Sequence, residues 1–357
     1  MNKGLVVNHS NKAIIAMSGG VDSAVAASLA LEAGLDCIGI TLKLYAGGSR
    51  CCSLEDINDA RLAAGRLGMP HYVMNATEAF KDNVIERFIA AYENGDTPNP
   101  CIDCNRYIKW PCILHRMQEI AFDYIVTGHY ARIISAGRWL LKKGIDPHKD
   151  QSYVLYMLTQ EELAHTILPL GGMTKEETRE VAHTKGIINP AKEESQDICF
   201  VPDNDYGSFI EGWTGKLFSE GTIIDTNGAV LGRHKGYQRY TIGQRKGLGI
   251  AANTPLYVCG KDPVHNTVTL GSAGSLYTQK LLAGNINLIA CETIPSPTRL
   301  TAATRYQAKE AACTVQQIDE DTLEVRFDEP QRAITPGQSV VLYDGDIVVG
   351  GGIINHE

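Results

Sequence analysis

The sequence predicts an α/β domain built on a parallel sheet, followed by two small β domains. Three observations carry that expectation. From residue 13 to about residue 200, short apolar runs alternate with helical patterns, as parallel strands joined by crossover helices do. A glycine turn, Ser18-Gly19-Gly20-Val21-Asp22-Ser23, joins the first apolar run to the first helical pattern. After about Asp203 the helical period fades into short β-rich runs separated by Gly, Asn and Asp. The boundaries read as 1–205, 206–280 and 281–357.

Ala13 to Ala16 reads as a buried strand, and Val21 to Ala33 as a helix that Gly34 stops. Gly19 and Gly20 let the backbone approach an anion, and the helix start offers N–H groups and the positive dipole end. Ser18 and Ser23 add hydroxyl donors, and Asp22 can reach a magnesium ion on a phosphate. This is no Walker A loop, because Val-Asp-Ser stands where Gly-Lys-Ser/Thr is required. Without that lysine, chemistry at the α-phosphate is the better expectation.

Leu35 to Leu42 reads as the second strand. Ser53 and Asp56 form a capping box, and Ile57, Ala60, Ala64 and Leu67 carry the apolar face of the helix that follows. His71 to Met74 is a third strand, Val84 to Tyr92 a helix, and Tyr124 to Thr127 a fourth strand leading into Gly128-His129-Tyr130. Ligands of such sheets bind at the carboxyl ends of the strands. The glycine turn, the loop after Leu42 and Gly128-His129 are therefore expected around one crevice. Downstream, Gly221–Leu231, Leu256–Cys259, Thr267–Leu270, Leu323–Phe327, Ser339–Tyr343 and Ile347–Val349 read as strands. Tyr343 to Asp346 is the turn of a final hairpin.

The 357 residues are 44% hydrophobic and 21% charged, ordinary for a soluble chain. No run reaches the apolar length of a membrane span, and Met1 to Lys12 lacks a signal-peptide core, so the expected location is cytoplasmic, with no membrane partner. There, ten cysteines suggest catalysis or metal rather than a disulfide scaffold. A net charge of −8 argues against a nonspecific nucleic-acid binder. A local patch remains, because Arg233, Lys235, Arg239, Arg245 and Lys246 share a segment with no acid among them.

Cys101 and Cys104 are spaced C-x-x-C in Asp96-Thr97-Pro98-Asn99-Pro100-Cys101-Ile102-Asp103-Cys104-Asn105. Alone, that pattern is half a zinc site or a redox pair. No second C-x-x-C follows, which disfavours closed structural zinc. Far downstream, Ser195-Gln196-Asp197-Ile198-Cys199-Phe200 sets a cysteine among polar residues.

These motifs together resemble the bacterial tRNA-specific 2-thiouridylases of the PP-loop ATPase superfamily. The marks are SGGVDS, Cys-Cys-Ser-Leu-Glu-Asp at 51–56, TPNPCxxCN at 97–105, and Gly128-His129-Tyr130-Ala131-Arg132. They continue through Lys149-Asp150-Gln151-Ser152, SQDICF, Tyr240 to Leu248 and Pro336-Gly337-Gln338. The resemblance implies an adenine nucleotide alpha hydrolase-like first domain and a last domain that is a β-barrel. It implies a sulfurtransferase that adenylates the C2 oxygen of wobble uridine 34 in tRNA, using ATP and Mg2+. Cys199 would carry sulfur as a persulfide from a donor protein, and Cys104 would attack it, leaving a disulfide for reduction. ATP contacts are implied at Ala16, Met17, Ser18, Gly19, Gly20, Val21, Asp22, Ser23, Leu42 and Gly128. Contacts with tRNA are implied at Asn99, Pro100, Cys101, His129, Lys149, Asp150, Gln151, Arg305, Tyr306 and Gln338. Many relatives carry aspartate where this chain has Cys101. The competing expectations are another adenylating PP-loop ligase, a cysteine-metal RNA-binding module, and an iron–sulfur cluster on Cys101, Cys104 and Cys199; free thiols are favoured over the cluster.

Overall fold

A computed structural model describes residues 11–45, 53–187, 198–201 and 204–356. The chain divides into two compact units. One comprises Met1–Ile85, Cys101–Phe200 and Asp346–Val348; the other comprises Glu86–Pro100, Val201–Gly345 and Val349–Glu357.

The first unit is organised by β1 (Lys12–Ala16), three of whose five residues are buried. It lies mid-sheet beside β2 (Asp36–Lys43), which pairs with β3 (His71–Asn75). On its other side lies β4 (Tyr124–Val126). The hairpin β5 (Ala131–Ser135) and β6 (Trp139–Lys143) follows, and then β7 (Thr166–Ile167) completes the sheet in the order β3-β2-β1-β4-β7. Every pairing in that sheet is parallel. The strand order reverses at β1, so the carboxyl ends of β1 and β4 open the crevice where such sheets bind ligands.

Helix α1 (Val21–Glu32) is apolar nearly all round, with Ala24 to Ala27 and Ala30 buried, which suits a helix enclosed on several sides. It ends as the sequence predicts, with Gly34 at φ +85°. Helix α2 (Leu54–Arg66) starts on Ser53, whose capping box with Asp56 has both hydrogen bonds in place. These helices share a core with Ala13 and Ile15, while α3 (Trp110–Glu119) packs on β1 and β4. Trp110 is buried and donates to Thr166 Oγ1 at 2.8 Å. Helix α4 (Lys175–Thr184) packs against α1. The β5–β6 hairpin escaped the sequence reading. It is held by Asp346, which accepts from Arg132 at 2.8 Å and pairs with Lys142 at 3.0 Å.

In the second unit, helix α5 (Tyr206–Thr214) precedes a four-stranded sheet of β8 (Gly221–Asp225), β9 (Val230–His234), β10 (Tyr257–Asp262) and β11 (Thr267–Gly271). Its core is Ile223, Tyr237, Tyr240, Leu248, Val258, Val268 and Leu270. Six further strands follow: β12 (Tyr277–Leu288), β13 (Thr298–Ala303), β14 (Ala311–Gln317), β15 (Leu323–Arg332), β16 (Ser339–Asp344) and β17 (Ile347–Ile354). They run in the order β12-β15-β14-β13-β16-β17, and β12 pairs with β17, so the barrel closes. Closure removes the exposed edges that an open sheet would present. The β16–β17 connection is the hairpin expected at Tyr343 to Asp346.

Segment 86–100 is bound into this second unit at several points. Tyr92 stacks on Tyr206 with ring centres 6.0 Å apart, and Tyr237 donates to the Glu93 carbonyl at 2.5 Å. Thr97 donates to the Pro336 carbonyl at 2.9 Å and accepts from Gln338 Nε2 at 2.6 Å. Asp96 pairs with His356 at 2.7 Å. The approach to the cysteine segment is thereby held from both β domains.

Candidate active site

The turn after β1 has the geometry of an anion cradle. Gly19 takes φ +76°, and a Cβ there would lie 2.3 Å from the Asp56 carbonyl oxygen, so only glycine fits. Gly20 is the N-cap of α1 and supplies no side-chain cap, which leaves helix-start N–H groups for a ligand. Ser18 is exposed; Ser23 is buried, donates to the Gly20 carbonyl at 3.0 Å and accepts from Ser18 N at 3.3 Å. Met17 is buried and its carbonyl accepts from Thr41 Oγ1 at 2.8 Å, tying the turn to β2 beside buried Leu42. Gly128 closes in from β4, where a Cβ would meet Ser23 N at 2.7 Å. The turn and Gly128 thus meet at the crevice, as expected.

Asp22 does not stand open at this turn. Its carboxylate accepts from Lys175 Nζ at 2.7 and 2.8 Å and from Tyr130 Oη at 2.9 Å. Gln151, expected at the RNA, accepts from Tyr130 N at 3.0 Å and donates its own N–H to the Tyr130 carbonyl at 2.9 Å. Asp150 accepts from Gly144 N at 2.8 Å and Ser152 Oγ at 2.7 Å, and burial pushes its carboxyl above the ordinary range. Lys149 begins this run, its N–H on the Asp146 carbonyl at 3.2 Å. These residues shape the backbone behind Tyr130. The sequence reading passed over Lys175, because nothing in local spacing points to a partner 153 positions away.

His129 sits partly buried with its ring centre 5.5 Å from that of Trp110 and Nδ1 2.8 Å from Thr127 Oγ1. Burial, with the charge of Lys109, lowers its pKa from 6.5 to about 3. It is a neutral ring at working pH.

The cysteine segment begins with half-buried Asn99, buried Pro100 and exposed Cys101. One helical turn, Pro100–Asp103, passes into a π-helical stretch, Cys104–Lys109, before α3. Such widened turns are frequent at functional sites. Cys104 is buried at its start. Beside it, Asn105 donates to the Val154 carbonyl at 3.0 Å while its own buried Oδ1 has no hydrogen bond. Cys199 is half-buried, and Phe200 packs edge-on against Phe80 with centres 5.7 Å apart. Phe80 belongs to the helical turn Thr77–Phe80, which packs on the stretch beginning at Cys104. Both cysteines therefore belong to the first unit, as does the glycine turn. Cys51, Cys52, Ser195, Gln196 and Asp197 lie outside the described residues.

In the second unit, Arg305 is exposed and Tyr306 half-buried between β13 and β14, and Gln338 holds Thr97. Of the basic segment, Arg239 is committed: it donates to Glu211 at 2.5 Å and lies over the Phe218 ring. Arg245 and Lys246 are exposed.

A parallel sheet with an anion turn at its switch point, followed by a small β domain and a closed barrel, defines a nucleotide-loop α/β enzyme class with β appendages. Family profiles match the same three stretches: a tRNA methyl transferase HUP domain at 11–203, a tRNA methyl transferase PRC-barrel domain at 208–272 and an aminomethyltransferase beta-barrel domain at 278–354. The tRNA-specific 2-thiouridylase MnmA of Clostridioides difficile is 49% identical over 354 residues, 96% of this chain and 98% of that protein. That of Acetivibrio thermocellus is 48% identical over 356 residues, 96% and 99% of the two chains. The chain belongs to the tRNA-specific 2-thiouridylase family. Among solved structures, the U34-tRNA thiolase NcsA from Methanococcus maripaludis aligns at 18% identity with a TM-score of 0.37, over 59% of this chain and 68% of that one.

Proposed function

We propose that this chain is an ATP-dependent tRNA 2-thiouridylase that places sulfur on C2 of wobble uridine 34, with domains at 1–205, 206–280 and 281–357. The observation that carries the reading is the grouping of an anion turn and two cysteines, Cys104 and Cys199, in one unit of a chain from this family. The turn suits ATP, since Gly20 caps α1 with no side chain and leaves the helix-start N–H groups open to a phosphate. Ala16 to Ser23, Leu42 and Gly128 would hold the nucleotide. When bound, ATP supplies the group that turns the poorly leaving C2 oxygen of uracil into a good leaving group.

The protein's own residues do the rest. Cys199 carries the outer sulfur of a persulfide delivered by a donor protein. The Cys104 thiolate attacks the Cys199 sulfur, forming a disulfide and releasing the outer sulfur for C2, and a two-electron reduction then restores both thiols. Asn99, Pro100, Cys101, His129, Lys149, Asp150, Gln151, Arg305, Tyr306 and Gln338 would meet the tRNA. Recognition by this set rests on shape, phosphates and a base drawn from its stack. The work is that of a soluble enzyme of the cytoplasm; among the described residues no helix is long and apolar enough to cross a membrane.

Magnesium fits the turn less well, because the Asp22 oxygens already take hydrogen bonds from Lys175 and Tyr130. No step is assigned to it. The persulfide route needs only the thiols of Cys104 and Cys199, so no step is routed through an iron–sulfur cluster on Cys101, Cys104 and Cys199. Mass spectrometry of wobble uridine, after incubation of unmodified tRNA with enzyme, ATP and a persulfide source, tests the proposal. A gain of one sulfur in place of one oxygen is expected; unchanged uridine sinks it.

A further inference from the structure

The phosphate turn lacks a lysine of its own, yet the fold brings one to it. Lys175 is the first residue of α4, and its side chain is only 7% exposed. Its ammonium reaches both oxygens of Asp22, at 2.7 and 2.8 Å, and lies 5.7 Å from the centre of the Tyr130 ring. Tyr130 Oη bonds the same carboxylate at 2.9 Å, and Asp146 fixes the Lys175 backbone N–H at 3.0 Å.

As a device for stability the arrangement is poorly placed. A lysine at a helix N-terminus opposes the helix dipole. Burying an ion pair costs desolvation that the attraction only partly offsets. The start of α4 already has its capping box from Thr174 and Glu177. Meanwhile Asp22 lies in the first turn of α1, where an unpartnered carboxylate would repel the anion that the turn is shaped to receive.

We propose that Lys175 is the cation of the phosphate turn. Asp22 and Tyr130 hold its ammonium beside the start of α1, where it engages the β- and γ-phosphates of ATP. It carries the charge that the Gly-Lys-Ser/Thr lysine carries in other nucleotide loops. That charge falls on the pyrophosphate that departs when the α-phosphate is attacked. Asp22 is then a positioning residue that aims Lys175. The inference rests on the reading of the turn as an ATP site.

Calorimetric titration of ATP and of AMP into the wild type, Lys175→Met and Lys175→Arg separates the possibilities without reference to turnover. The methionine variant is expected to lose about 10- to 100-fold in ATP affinity, the range of a hydrogen bond to a charged group. AMP, which lacks the β- and γ-phosphates, should lose less than ATP does, and its remaining binding reports that the site is folded. The arginine variant should recover part of the ATP affinity. Equal losses for ATP and AMP in both variants would mark Lys175 as structural and overturn the assignment, as would no loss at all. A wild type that binds neither nucleotide would overturn the ATP reading of the turn and this inference with it.

Discussion

In the proposed reaction Cys104 and Cys199 would divide one task between two thiols, and their environments differ: one is buried at the start of a π-helical stretch, the other half-buried beside Phe200. Cys199→Ser should carry no transferable sulfur, whereas Cys104→Ser should still load a persulfide yet make no product. Intact-protein mass spectrometry before and after persulfide loading, with analysis of the tRNA, reads both; a Cys199 variant that still delivers sulfur would reverse the roles. His129 makes a pH statement. Its pKa falls from 6.5 to about 3 through burial and the Lys109 charge. The fold favours the neutral ring, so the contribution is complete above about pH 6.5 and is lost as pH drops toward 3. The loss is at most about 1.4 kcal/mol per unit of pH in that window. Melting curves at pH 7 and pH 5 should therefore fall less in His129→Asn than in the wild type. Equal falls would place the acid sensitivity elsewhere.

At the scale of elements, the site depends on backbones that approach too closely for side chains. Gly19→Ala would put a methyl on the Asp56 carbonyl and strain a φ of +76°. The left-handed conformation alone costs about 1–2 kcal/mol, and the clash would move the turn from the start of α2. ATP affinity should drop by at least about tenfold with α1 intact by circular dichroism; unchanged ATP binding would mean the ligand does not use this turn. These glycines, the Ser53 capping box and the small-residue α1 were legible in the sequence because each is a local pattern. The β5–β6 hairpin was not. Its strands are short and half-buried, and Asp346, which holds them, lies 214 positions from Arg132.

Over the whole molecule, the net charge of −8 leaves RNA binding to local patches. The basic segment splits in two by its tertiary contacts. Replacing Arg245 and Lys246 together with Ala should flatten the salt dependence of tRNA binding by up to about two units of slope. Arg239→Ala should instead lower the melting temperature, because it removes the Glu211 pair and the packing on Phe218. Filter binding across a salt series decides; an unaltered slope in the double variant would make those charges a solvated face. By itself the sequence determined the alternation of the first strands and helices, the change to β structure after about Asp203, the glycine turn, the Ser53 cap and the cysteines, since each follows from spacing, backbone freedom or side-chain chemistry within a few residues. Only the tertiary structure decided that Lys175 belongs to Asp22 and Gln338 to Thr97, pairs separated by 153 and 241 positions. Their partners are chosen by what burial brings together, and burial leaves no mark in local spacing.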